Sequence, residues 1–236
     1  MNAAGLMREL RAASDPAKAA VLLRFFKTGK GEYAEGDKFF GLTAPVARAI
    51  ALKYAGLPHG EILKLLRSPV HEARSCALAI MVRRFERGED GERRLIYDAY
   101  LANTAFINNW DLVDLSAPQI VGGWLKDRSR APLYRLAASE LLWERRIAML
   151  ACFAFIKDGD CADALKIARL LLGDRHDLMH KAVGWMLRET GKRCSEKALT
   201  DFLRDNYARL PRTALRYAIE RFPAARRARM LKGDLD

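Results

Sequence analysis

Five apolar segments of one rhythm return along the chain at nearly even distances. They are EARSCALAI around Arg74, NNWDLVDL around Trp110, WERRIAML around Arg146, MHKAVGWML around Lys181 and PRTALRYAI around Thr213. Their anchors stand 36, 36, 35 and 32 residues apart. Even spacing of this size, with no long insertion, is what stacked helical pairs of the HEAT or armadillo sort produce. Residue usage points the same way: Val, Ile and Thr together number 23 of 236 residues, while Ala, Leu, Arg and Glu fill the periodic segments. That choice favours helices and starves strands. The expected fold is all-α, a HEAT-like solenoid with a basic concave groove, running as a single domain over residues 1–236.

The punctuation between segments is helical. Ser14 or Asp15 reads as an N-cap with Pro16 in the first turn and Gly29 past the end; Thr43, Pro45 and Gly56 repeat the scheme, as do Ser68, Pro69 and Gly88. Further helices are expected near residues 91–102, 109–125, 130–138, 140–157, 161–172, 177–191, 195–208 and 211–222. Pro118 lies inside one of these, which predicts a kink or restart around Ser116. A short amphipathic helix over residues 3–13 is expected at the start, and a frayed basic tail over residues 223–236 at the end.

Composition narrows the function classes. Half of the chain is hydrophobic and 30% is charged, and no apolar run reaches membrane-spanning length. The opening MNAAGLMRELRAAS lacks the long apolar centre of a signal peptide. A cytoplasmic protein is the expectation, associated with the nucleoid if it binds DNA. The net charge of +12 suits a polyanion as partner. Cys76, Cys152, Cys161 and Cys194 are far apart and form no C-x-x-C, as packed, reduced thiols would be. His176 and His180 stand at i, i+4, yet there is no H-E-x-x-H and no third ligand, so no metal site is expected. GKGEYAEG is glycine-rich but lacks the G-K-[ST] of a phosphate-binding loop, and no Ser–His–Asp or Cys–His grouping emerges at recognisable spacing.

Within each copy, the anchor and the residue four later share one helical face: Arg74/Leu78, Trp110/Asp114, Arg146/Leu150, Lys181/Trp185 and Thr213/Tyr217. Two readings compete. The tryptophans either fill core between helices or line the concave surface with which solenoids bind partners. On such a surface Arg74, Arg146 and Lys181 would grip phosphates, and the indoles would attract cations. Asp114 is the odd member, because phosphates repel a carboxylate. An enzyme gains from it where positive charge develops or where water must be aimed and deprotonated. Cleavage of an N-glycosidic bond supplies both. Asp111, one turn away, reads as ordinary.

The strings NNWDLVD at Asn108–Asp114, WERRIAML at Trp143–Leu150, HKAVGWMLRE at His180–Glu189 and GDKFFGLTAPVAR at Gly36–Arg48 resemble the DNA alkylation repair family of AlkD-type alkylpurine DNA glycosylases. The resemblance runs from about residue 15 to residue 222. It implies a helical solenoid that cradles duplex DNA and excises cationic alkylated purines such as 3-methyladenine and 7-methylguanine without metal or organic cofactor; a groove used by duplex DNA suggests a monomer. It places the catalytic carboxylate on Asp114, the groove tryptophans on Trp110 and Trp185, and the groove arginine on Arg146. A further basic position matches less clearly: Ala154 holds it by spacing and Lys157 lies nearby. Two rival readings remain, a non-catalytic HEAT-repeat protein that binds damaged or distorted DNA, and a protein-binding scaffold.

Overall fold

The computed structural model describes residues 1–235. Among these, helices account for all regular structure apart from an isolated parallel bridge between Lys38 and Val70. Contacts divide the chain into two compact units, Met1–Ile120 and the part from Val121 on.

The first unit holds α1 (Ala3–Ala12), α2 (Pro16–Phe25), α3 (Ala44–Lys53), α4 (His59–Leu66), α5 (His71–Arg87), α6 (Asp90–Leu101) and α7 (Trp110–Asp114). Helix α5 is the hub, packed by α3, α4 and α6. It buries Ala73, Cys76, Ala77, Ile80 and Met81, the three-and-four spacing of one apolar face. Helix α1 adds Leu6 and Leu10, α4 adds Ile62, Leu65 and Leu66, and α6 adds Ile96 and Tyr100. Each large aliphatic residue withdrawn from water in this way contributes about 1.5–3 kcal/mol.

Caps decide several boundaries. Asp15, not Ser14, caps α2, its carboxylate accepting from the Lys18 N–H at 3.1 Å. That helix stops at Phe25, ahead of Gly29, and Lys27 takes a left-handed conformation with φ of 56°. Helix α5 starts two residues later than Pro69 suggests, because Ser68 Oγ accepts from the Val70 N–H and holds a turn there. Helix α4 escapes the sequence reading altogether.

The expected 109–125 segment is broken near Ser116. Helix α7 ends at Asp114, a π-helical turn covers Pro118–Gly122 and the short α8 (Gly123–Leu125) follows. Buried Ser116 donates back to the Leu112 carbonyl at 2.6 Å and meets the Tyr100 hydroxyl at 2.9 Å, so the break is hydrogen-bonded.

The second unit continues with α9 (Ala131–Ala137), α10 (Leu142–Ala151), α11 (Phe153–Lys157), α12 (Ala162–Leu170), α13 (Asp177–Arg193), α14 (Glu196–Asn206), α15 (Arg212–Ala218) and α16 (Ala224–Met230). Helix α13 is its centre, burying Met179, Val183, Met186, Leu187 and Thr190 against α10, α14 and α15. The approach of α13 to α15 requires Gly184, where a Cβ would stand 2.5 Å from the Ala214 carbonyl oxygen.

The basic end corrects the expectation of a frayed tail. Residues 224–230 are the helix α16, Met230 is fully buried and Leu235 is nearly so. The Leu231 carbonyl accepts from the Tyr207 hydroxyl at 3.1 Å and from Arg212 at 2.8 Å. Two apolar side chains, a twice-bonded carbonyl and the Arg226–Glu196 ion pair at 2.6 Å dock a helix whose sequence reads as solvated charge.

Three turns repeat one geometry. Ser68, Ser139 and Asp174 each accept, through the side chain, the N–H two residues on. Their carbonyls each accept from a side chain six residues on: Arg74, Arg145 and His180. The copies of Arg74 are thus Arg145 and His180, one residue before the anchors Arg146 and Lys181 that apolar rhythm alone selects.

Candidate functional site

In the first unit, each member of NNWDLVD has an assigned place. Asn108 donates to Asp37 Oδ1 at 3.2 Å. Asn109, wholly buried, caps α7 by accepting the Trp110 N–H at 2.8 Å. Leu112 and Val113 enter the core. Trp110 and Asp114 are both half-buried, and they stand i, i+4 on the single turn-and-a-half of α7.

Trp110 rests on aromatic neighbours. Its ring stacks on Phe26 at 5.5 Å and meets the edge of Phe25 at 5.9 Å. Phe26 stacks in turn on Phe39 at 5.2 Å, and His71 lies against both at 4.8 and 4.6 Å. Such offset and edge contacts add about 0.5–1.5 kcal/mol per pair beyond area burial, so the indole is held from one side by a continuous aromatic support.

Behind the stack lies a buried ionic cluster. His71 Nε2 donates to Asp111 Oδ2 at 2.8 Å, and Nδ1 stands 3.7 Å from Asp37. Arg74 donates to Asp37 at 2.5 Å and to the Ser68 carbonyl at 2.9 Å. Two expectations change here. Asp111 is no ordinary surface acid, since it ties α7 to the start of α5. Arg74, only 3% exposed, presents no charge to a partner: its guanidinium is spent inside the unit on Asp37 and a turn carbonyl. Asp37 and Phe39 lie inside the quoted GDKFFGLTAPVAR string, which gives them no role by itself, and His71 and Phe26 belong to no quoted string.

Burial pushes the His71 imidazole down, but its bond to Asp111 and the nearby Asp37 carboxylate outweigh that and raise its pKa above the ordinary 6.5. Burial opposes ionisation of Asp37, and His71 and Arg74 overcome it and hold that carboxyl below its usual range. A raised folded-state pKa stabilises fully below the unfolded value and loses that contribution as pH rises through the folded one. His59 and His176 are shifted downward, chiefly by burial, and carry the opposite sign. The expected result is therefore a difference. The wild-type melting temperature declines relative to that of His71→Gln as pH rises from about 6.5 upward. Parallel melting curves for the two proteins across that range would exclude a charged His71.

In the second unit, Arg146 is 4% exposed and donates to the Leu178 carbonyl at 2.6 Å. This corrects the expected surface arginine. The guanidinium pins the first turn of α13, because a buried cation must spend its donors on protein acceptors. Lys181, one turn on, is half-buried and pairs with Asp177 at 2.7 Å. Trp185 follows at i+4, half-buried, with its ring 6.2 Å from Phe153. The Lys157 ammonium lies over that same Phe153 ring at 4.7 Å and the Arg193 guanidinium at 5.3 Å. The second unit thereby gathers Trp185, Phe153, Lys157 and Arg193, an aromatic surface flanked by cations. Lys157, and not the small Ala154, supplies the charge there. His176 and His180 are occupied as turn-closing groups, accepting from the Leu178 N–H and donating to the Asp174 carbonyl.

No helix is long and apolar enough to cross a membrane among the described residues. Among solved structures, a protein described as a predicted DNA alkylation repair enzyme from Enterococcus faecalis has a similar fold, with a TM-score of 0.67 at 17% identity over 89% of this chain and 97% of that one. No curated protein is matched. A family model for DNA alkylation repair enzymes matches residues 6–222. With all but its two ends covered by that match, the chain belongs to the DNA alkylation repair enzyme family, and DNA repair is its role.

Proposed function

We propose that the protein is a DNA glycosylase that hydrolyses the N-glycosidic bond of cationic alkylated purines, 3-methyladenine and 7-methylguanine, in duplex DNA. The observation that carries this reading is the half-buried Asp114 carboxylate one turn from the braced Trp110 indole, in a chain of net charge +12. A phosphate-binding surface loses affinity by keeping an anion there, and chemistry that generates a cation gains from it.

An alkyl group on N7 or N3 leaves the purine positively charged. The bond from C1′ to the base nitrogen breaks with its electron pair going to the base, which departs neutral and needs no general acid. The sugar passes through an oxocarbenium-like cation. Asp114 stabilises that charge and takes a proton from the attacking water, whose oxygen bonds to C1′. Trp110 offers its electron-rich face to the sugar, and the second unit presents Trp185 as an aromatic face for bound DNA. Lys181 meets phosphate, and Arg146 acts by positioning the start of α13. The reaction consumes water alone.

The direct test is release of free base from a duplex containing 7-methylguanine, followed by chromatography. We expect release under single-turnover conditions and an abasic site left in the strand. Salt-sensitive binding of the duplex with no base released would instead identify a DNA-damage-binding protein; absence of binding would identify neither and point to a protein scaffold.

A further inference from the structure

The family match ends at residue 222, and α16 lies beyond it. Residues 207–235 carry eight cations, seven of them arginine, against two carboxylates, Glu220 and Asp234. A disordered tail would spread that charge through solvent; here it is fixed in place. Met230 is buried, and the Leu231 carbonyl is held by Tyr207 and Arg212, which fastens the end of α16 beside the start of α15. Arg212 and Arg216 stand i, i+4 on α15, away from its buried Ala214, Leu215 and Ala218, so they share an exposed face. Arg209 precedes that face, and Arg229 and Lys232 belong to the docked end of α16; all three are exposed. Asp234 lies 3.7 Å from Arg229 and offsets one of these charges.

We propose that α15 and α16 form a docking surface for the phosphate backbone of duplex DNA, additional to the residues assigned to excision. The proposal rests on the reading of the chain as a protein that acts on DNA. Arginine suits it because its planar fork of donors matches phosphate oxygens. Residues 207–235 contain no Asn or Gln to read a base edge, and the Tyr207 hydroxyl is spent on the Leu231 carbonyl. In this proposal the surface grips the backbone, independently of sequence and of damage. Its chemical effect is to raise the time the protein spends on undamaged duplex, by releasing counterions condensed on the phosphates.

The test uses the full chain and an undamaged duplex, with affinity measured by fluorescence anisotropy over a salt series. In the triple variant Arg209→Gln, Arg216→Gln, Lys232→Gln, the slope of log K against log salt is expected to become shallower by about 0.9 for each phosphate no longer neutralised. Single-turnover excision at saturating protein is expected to stay at the wild-type rate. A second variant, Ala228→Glu, keeps every cation and places an anion on the exposed side of α16; it is expected to weaken binding as well. Wild-type slopes in both variants, alongside intact wild-type binding and excision, would overturn this surface and leave the glycosylase reading standing. A wild-type protein that binds no duplex at low salt would overturn both. Preferential binding of vesicles rich in anionic lipid over duplex, abolished in the triple variant, would reassign the surface to a membrane and equally overturn it.

Discussion

Asp114→Asn is expected to slow excision of 7-methylguanine by about a hundred- to a thousandfold, the range seen when one preorganised electrostatic partner of a transition state is removed. The substitution keeps size and shape, while a neutral amide neither balances an oxocarbenium charge nor accepts a proton from water. DNA affinity should be unchanged or slightly higher, because the variant loses an anion that repels phosphates. That combination separates chemistry from binding. Slower excision together with weaker binding and a lowered melting temperature would mean that Asp114 serves the fold. Wild-type excision in the variant would remove it from the reaction. Helix α7 has independent anchors in Asn109, Asp111, Leu112 and Val113, so its position does not hang on the substituted side chain.

Glu72→Ala is expected to cost about 3 kcal/mol or more of stability. The Glu72 side chain belongs to a residue only 4% exposed, and its carboxylate accepts from three consecutive N–H groups, those of Phe40, Gly41 and Leu42, at 2.8–3.2 Å. Alanine leaves those donors without an acceptor, and each unsatisfied buried group costs about 1–3 kcal/mol. Gly41 in the same loop has a φ of 86° and packs where a Cβ would meet the Asp15 carbonyl oxygen, so the loop has no room to shift. For a chain of this length the loss corresponds to roughly 6–12 °C in melting temperature. The effect reaches further than the loop. The Phe40 carbonyl accepts from the Asp15 N–H at the start of α2, and Phe39 belongs to the stack under Trp110. Loss of excision should therefore accompany loss of stability in Glu72→Ala, whereas Glu72→Gln, which keeps one carbonyl oxygen, should retain most of both. A melting temperature within about 2 °C of wild type in Glu72→Ala would refute the role assigned to this carboxylate.

Most helices are legible in the sequence because their signals are local. Asp15, Thr43 and Gly88 lie at helix ends, and the break near Ser116 follows from Pro118. Helix α4 is not, since its eight residues follow Pro58, include Gly60 and have no side-chain cap. Buried arginines mislead for a general reason. Arg74 and Arg146 sit at helical positions that a charged residue usually takes to meet solvent, and their true acceptors, Asp37 and the Leu178 carbonyl, lie 37 and 32 residues away. Asp111 is a like case: its partner His71 is 40 residues distant, and nothing in the short string marks it. The Trp110–Asp114 spacing is visible because both residues lie on one turn. The support under it is tertiary, and only packing reveals Phe26, Phe39 and His71.

The three turns closed at Ser68, Ser139 and Asp174 bear on how the chain reaches its fold. Each links a carbonyl to a side chain six residues on, and so short a loop closes at small entropic cost. Contacts of such low sequence separation form early, ahead of pairings between distant helices. The first turns of α5, α10 and α13 thus take their direction from bonds within their own segments, whereas the α13–α15 packing and the Trp110–Phe26 stack join residues far apart in sequence. The heading of these three helices is held locally, and long-range packing joins segments so aimed.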